Sequence, residues 1–189
     1  HFDGLDVTRL PAHQRARRGL ARSFQITRLF AGFTVRENLA LALQAAGGSS
    51  LRAWAPVARE RALFDRADAL LADLSLAGKG SARIDALSHG ERRMLEVGLA
   101  LAAAPRLVLL DEPMAGLGAE ESARMEQHIE GLRGRTAVLL IEHDVDAVFR
   151  LADRVSVLVN GRVIASGSPE AVRRDAGVVA AYLGDGEHV

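Results

Sequence analysis

Leu107-Val108-Leu109-Leu110-Asp111-Glu112-Pro113 is a run of four apolar residues that ends in two carboxylates and a proline. A short, continuous apolar run suits a strand covered on both faces, as in a parallel sheet. Side chains alternate along a strand, so adjacent carboxylates point in different directions. Parallel sheets bind their ligands at the C-terminal edge of the strands. There one carboxylate can hold Mg2+ through water while the other polarises an attacking water. Taken alone, the acidic pair would be no more than the solvent end of a strand, so its neighbours in the sequence decide.

Upstream stands Leu87-Ser88-His89-Gly90-Glu91. Ser88 and Glu91 form a capping box, which needs no ligand. The same helix N-terminus presents free N–H groups and a positive dipole end, and Gly90 lets a phosphate approach the backbone. Both readings hold together. Downstream, Leu139-Leu140-Ile141-Glu142-His143-Asp144 is a second apolar strand with a polar end, expected at the same sheet edge as Glu112. A neutral His143 imidazole there can hydrogen-bond a γ-phosphate and the water-polarising carboxylate together. Asp144 suits the cap of the next helix. Gln25, within Arg22-Ser23-Phe24-Gln25, offers a neutral amide able to ligate Mg2+ and hold the attacking water. In isolation His143 and Gln25 are ordinary surface residues. In this order, phosphate grip, acidic strand end and histidine strand end predict nucleoside triphosphate hydrolysis. Gly78-Lys79-Gly80-Ser81 imitates a phosphate loop, but Leu74 and Gly80 stand where that loop needs Gly and Ser or Thr. It is expected to be a loop between helices.

Around these motifs the periodicity changes. A strand-like piece at residues 1–4 and an Arg-rich helix near residues 11–19 come first. Val35, Leu39 and Leu43 have helical spacing behind a Thr34/Glu37 capping box. Residues 45–56 read as a loop, residues 59–74 as a second helix, and residues 88–103 as a third. Apolar runs at 107–110, 137–141 and 155–159 then alternate with helices at 119–132 and 145–152, an α/β doubly wound pattern. Asn160-Gly161 signals a hairpin between 155–159 and 162–165.

The 189 residues suit one core with a subdomain. Lys plus Arg and Asp plus Glu are both 24, without the basic excess of a nucleic-acid binder. With no Cys, a disulfide framework or Cys-based zinc site is excluded. The longest apolar stretch, residues 95–110, is interrupted by Glu96, Pro105 and Arg106, so no spanning helix is expected. The chain opens on His1 with no signal peptide, and is expected to be a fragment or a trimmed form.

Four ordered motifs covering essentially the whole chain resemble the nucleotide-binding subunit of ABC transporters. The resemblance implies an α/β P-loop NTPase (RecA-like) core with an inserted α-helical subdomain. Its parts would be residues 1–25, core up to the Q-loop; 26–95, helical subdomain ending in the signature motif; 96–168, core with Walker B, D-loop and switch histidine; and 169–189, a helical tail. It makes Gln25 the Q-loop, Ser88, His89, Gly90 and Glu91 the signature motif, Asp111 Walker B, Glu112 the catalytic base and His143 the switch histidine. ATP and Mg2+ are the implied ligands, with Gln25 and Asp111 on the metal. Two such subunits face each other, so Ser88 and Gly90 would touch ATP held mainly by the partner. Gly118 closes a D-loop in which many relatives carry Asp. The phosphate loop, its Lys and the adenine-stacking aromatic are absent from this sequence, which alone is expected to be inactive.

A finer resemblance points to the branched-chain amino acid importer branch. It rests on Ala21-Arg22-Ser23-Phe24-Gln25, Leu29-Phe30, Glu142-His143-Asp144, Asn160-Gly161-Arg162-Val163-Ile164-Ala165-Ser166-Gly167 and Ala181-Tyr182-Leu183-Gly184. The implied partners are a second ATP-binding subunit, transmembrane permease subunits docking at Ile26, Leu29, Phe30 and Phe33, and indirectly a periplasmic solute-binding protein. The implied location is peripheral, on the cytoplasmic face of the bacterial inner membrane. The alternatives are a urea or amide importer, a soluble ABC ATPase acting on DNA or ribosomes, and an inert binding module.

Overall fold

Residues 107–111 form the middle of a parallel three-stranded sheet in the computed structural model, which describes residues 1–23, 29–47 and 61–183. Its strands are β1 (Leu20–Arg22), β2 (Leu107–Asp111) and β3 (Ala137–Ile141), in the order β1-β2-β3. The pairing runs in register from Leu20↔Leu107 and Leu107↔Ala137 to Asp111↔Ile141. Strand β1 is absent from the periodicity reading. Three residues, Leu-Ala-Arg, are too few to show alternation. The strand expected at residues 1–4 is instead a turn, with Phe2 and Leu5 exchanging backbone hydrogen bonds around Asp3 and Gly4, both at positive φ.

The chain forms two compact units, His1–Ile141 and Glu142–Val189. In the first, α1 (Ala12–Arg17) leads into β1, and α2 (Val35–Ala46) packs against α3 (Arg61–Asp73). Val35, Leu39, Ala40 and Leu43 of α2 are buried, as are Leu63, Ala67 and Leu71 of α3, so each helix contributes one apolar stripe. Thr34 caps α2 through the expected capping box with Glu37. Buried Asn38 then fastens the preceding loop, its side chain bonding both Phe30 N–H and Phe30 C=O. α4 (His89–Leu101) contacts α2 as well as β1 and β2, and so links the helical part to the sheet. Val108 and Leu110 of β2 are fully buried, and α5 (Ala119–Glu130) buries Met125 and Ile129.

One expectation fails on β3. A sheet covered on both faces would bury all five residues, yet Leu139 and Ile141 are each 51% exposed. Val138 and Leu140, pointing the other way, are half-buried. Alternation therefore appears in the structure where the sequence, apolar at every position, shows none.

The second unit holds α6 (Val145–Leu151), β4 (Val155–Val159), β5 (Arg162–Gly167) and α7 (Pro169–Arg173). The predicted hairpin is present, with Asn160 and Gly161 at φ 49° and 75°, the left-handed pair that a tight two-residue turn needs. β4 pairs with β5 in a separate antiparallel sheet, which corrects the reading of residues 155–159 as a third parallel strand. The cause is local: a two-residue turn makes β5 the nearest partner. Val155, Val172 and Val178 form the core of this unit, with Val148, Phe149 and Val157 against them.

Among the described residues, no helix is long and apolar enough to cross a membrane. Helix α4 is held against the loop after α3 by close approach at Gly98, where an added Cβ would stand 2.3 Å from Leu74 Cδ1, itself buried. Gly98→Ala is therefore expected to lower the unfolding free energy by about 1–3 kcal/mol through overpacking. Gly78→Ala, into open space, should stay within about 0.5 kcal/mol. Urea melts of the two variants check this.

Candidate functional site

Strand β2 delivers Asp111 to the C-terminal edge of the sheet, and the chain then turns sharply. Glu112 has φ 46°, a left-handed conformation that costs a non-glycine residue about 1–3 kcal/mol. Its N–H donates to Ile141 C=O at the end of β3, at 2.8 Å. Its carbonyl accepts from Ala115 N–H. Pro113 and Met114 are buried beneath the turn.

Arg93, on the second turn of α4, closes over the outside of this turn. Its Nη2 donates to Asp111 C=O at 3.1 Å and to Glu112 C=O at 2.6 Å. Its Nε donates to Pro113 C=O at 3.3 Å, and Nη1 pairs with Glu96 at 3.0 Å. The Arg93 side chain is only 12% exposed and that of Glu96 15%.

The Asp111 carboxylate pairs with Arg22 at 3.2 Å and remains partly open to solvent. Ser23 bridges the two strands, its hydroxyl lying 3.4 Å from both Leu109 C=O and Asp111 N–H. The segment that leads to Gln25 is thus fixed beside β2 as far as Ser23. Gln25 itself lies outside the described residues. Mg2+ takes one or two carboxylates and completes its shell with waters and phosphate oxygens. Asp111, a hard oxygen donor at an open strand end, fits such an ion.

The other half of the expected site is the start of α4. Ser88 caps the helix, its Oγ accepting from Glu91 N–H at 3.1 Å while its N–H donates to Glu91 Oε2 at 2.8 Å. Lys79, from the expected inter-helix loop, pairs with Glu91 at 2.9 Å. The Ser88 N–H, and after it Lys79, hold the Glu91 carboxyl below its ordinary range. Two neighbours here are invisible to sequence reasoning. Glu121 of α5 lies 3.4 Å from both Ser88 Oγ and Gly118 N–H. A Cβ added to Gly90 would come within 2.3 Å of the Glu121 carboxyl group, so only glycine fits there without displacing it. His89 lies over Gly116, where an added Cβ would be 3.2 Å from its Nε2. Residues 88–91 and 116–121 therefore form one continuous surface, with Gly118 as the N-cap of α5.

His143 belongs to the second unit. Its side chain is 74% exposed and its N–H donates to the buried carboxylate of Glu142 at 3.3 Å. Asp144 caps α6 as expected, accepting from Ala147 N–H.

Residues 1–115 match the family described as ABC transporter, and residues 162–188 match the family described as branched-chain amino acid ATP-binding cassette transporter. The chain is 35% identical to the high-affinity branched-chain amino acid transport ATP-binding protein LivG of Escherichia coli (strain K12), over 98% of this chain and 73% of LivG. It is also 35% identical to BraF of Pseudomonas aeruginosa, a protein of the same description, over 97% of this chain and 75% of BraF. The lipopolysaccharide export system ATP-binding protein LptB of Haemophilus influenzae shares 35% over 97% of this chain and 73% of LptB. Among solved structures, MJ1267, an ATP-binding cassette of an ABC transporter, superposes with a TM-score of 0.79 at 26% identity, over 96% of this chain and 75% of that one.

The Ser88/Glu91 box carries a pH signature. A depressed folded-state pKa means that the contribution of Glu91 to stability is present above its ordinary value of 4.5. That contribution is lost as pH falls through the lower folded-state value. Ser88→Ala should cost about 0.5–2 kcal/mol at neutral pH. Glu91→Gln should flatten the fall in stability as pH drops below 4.5, as measured by thermal melts on the acid side of that value.

Proposed function

The chain belongs to the ABC transporter family, as an ATP-binding subunit with an α/β ATPase core, and from that premise we propose that it energises uptake of branched-chain amino acids by hydrolysing ATP. Its identity to a lipopolysaccharide exporter subunit equals its identity to the amino acid importers, so overall similarity does not choose the solute. The observation that does is the match of residues 162–188 to the branched-chain amino acid cassette family.

Glu112 is the general base. Held at the end of β2, it takes the proton of a water that attacks the γ-phosphorus in line, and ADP leaves as phosphate is formed. Asp111 and Gln25 would hold Mg2+, which would supply neutralisation of charge on the phosphate oxygens. His143 hydrogen-bonds the γ-phosphate through its exposed imidazole. Ser88, His89, Gly90 and Glu91 contribute the N–H groups of a helix N-terminus to ATP bound mainly by a second ATP-binding subunit, and Gly118 lies on that same face. The parts divide at residues 25, 95 and 168, as the family resemblance implies.

The partners follow from the same reading. Two subunits sandwich ATP, and both act beneath transmembrane permease subunits on the cytoplasmic face of the inner membrane, with a periplasmic binding protein delivering solute indirectly. A docking surface is supported by Phe30 and Phe33, 59% and 41% exposed, with ring centroids 5.7 Å apart. Arg83 braces the loop between them, donating to Ala31 and Gly32 carbonyls. Large exposed aromatics on a braced loop suit a protein contact.

Glu112→Gln, in a version of the subunit that includes the phosphate loop, is expected to bind ATP normally, to lower turnover by about 100-fold or more, and to accumulate an ATP-bound dimer detectable by size exclusion. Unchanged hydrolysis would rule out Glu112 as the base. Phe30→Ser with Phe33→Ser should leave ATP binding intact and reduce recovery of the subunit with purified membranes. Equal recovery would remove this loop from the docking surface.

A further inference from the structure

We infer that Arg93 is a positioning residue for the hydrolytic base: it holds the turn that aims Glu112 and ties that turn to the helix whose first residues receive the partner's ATP. The inference rests on the reading of Glu112 as the base. Four observations carry it. Glu112 sits at φ 46°, a left-handed conformation uncommon for a non-glycine residue. Three successive carbonyls, those of Asp111, Glu112 and Pro113, point at one guanidinium. That guanidinium is nearly buried and fixed from behind by Glu96. Finally, Arg93 lies on α4 two residues beyond the Ser88/Glu91 capping box.

The chemistry of guanidinium is what the position demands. Its donors lie in a rigid plane and can serve several acceptors at once, whereas a lysine ammonium on a flexible stem cannot hold three carbonyls in a fixed relation. Rotating the 111–113 backbone moves the Glu112 carboxylate relative to the water it must activate. A displacement of about 1 Å costs on the order of 100-fold in rate. Arg93 touches main-chain oxygen only at this turn, so it acts through Glu112.

The test measures ATP turnover and ATP affinity separately, in a version of the subunit that includes the phosphate loop, for Arg93→Met, Arg93→Lys, Glu112→Gln and the Arg93→Met/Glu112→Gln double variant. Arg93→Met should lower kcat by about 10- to 100-fold while the Kd for ATP, and the KM, stay within about twofold. Arg93→Lys should fall between Arg93→Met and the parent. The double variant should turn over no more slowly than Glu112→Gln alone, because Arg93 has nothing left to position. Parental kcat in Arg93→Met overturns the inference, as does a double variant slower by the full product of the single effects. Parallel loss of ATP binding, melting temperature and kcat in both Arg93 variants reduces the residue to a structural support and also overturns it. Normal turnover in Glu112→Gln removes the premise. Impaired Glu112→Gln beside normal Arg93→Met removes this inference alone.

Discussion

The constraint on which the first unit depends is the left-handed turn at Glu112. A parallel strand that reaches its C-terminal edge would normally continue outward, and its last side chains would alternate into solvent. Here the backbone reverses immediately after Asp111, so Asp111 faces Arg22 while the chain drops Pro113 and Met114 into the core. The strain of about 1–3 kcal/mol needs compensation nearby. The bond to Ile141 supplies part, and hydrogen bonds from a charged donor, each contributing roughly 1.5–3 kcal/mol, supply the rest. Burying Arg93 is tolerable because Glu96 neutralises it and its donors are satisfied by carbonyls. Helix α4, strand β2 and strand β3 are thus joined at one point, and the Arg93 donors close it.

Much of this was legible because local chemistry and tertiary structure agree. Thr34/Glu37, Ser88/Glu91 and Asp144 are caps in sequence and caps in the structure. Asn160-Gly161 is a hairpin turn for reasons contained in two residues. The apolar run 107–110 is the central strand, where Val108 and Leu110 are fully buried. Residues 78–81 lie between α3 and α4, where the spacing puts a loop between helices, and Lys79 pairs with Glu91.

What escaped was set by neighbours distant in sequence. Strand β1 is a strand because β2 offers it a ladder, a fact its three residues do not contain. Leu139 and Ile141 carry the same chemistry as Val138 and Leu140, yet differ in exposure because the two faces of β3 have different neighbours. Glu121 stands 31 residues from Gly90 and its carboxyl group fills the space a Cβ there would take, a second reason for glycine beside the phosphate approach that the sequence suggests. Arg93 is the clearest case. Its acceptors are main-chain carbonyls, and carbonyls carry no residue identity. No pattern of side chains could have pointed to it.

The two acidic landmarks therefore differ in kind. Asp111 is a candidate on sequence alone, because the role proposed for it follows from being a carboxylate at a strand end. Glu112 is a carboxylate too, but its usefulness depends on a backbone conformation maintained by a helix 19 residues earlier. That helix also carries the residues proposed to grip the other nucleotide of a dimer. The capping end of α4 and the proposed base are linked within one subunit through fewer than two helical turns and one guanidinium.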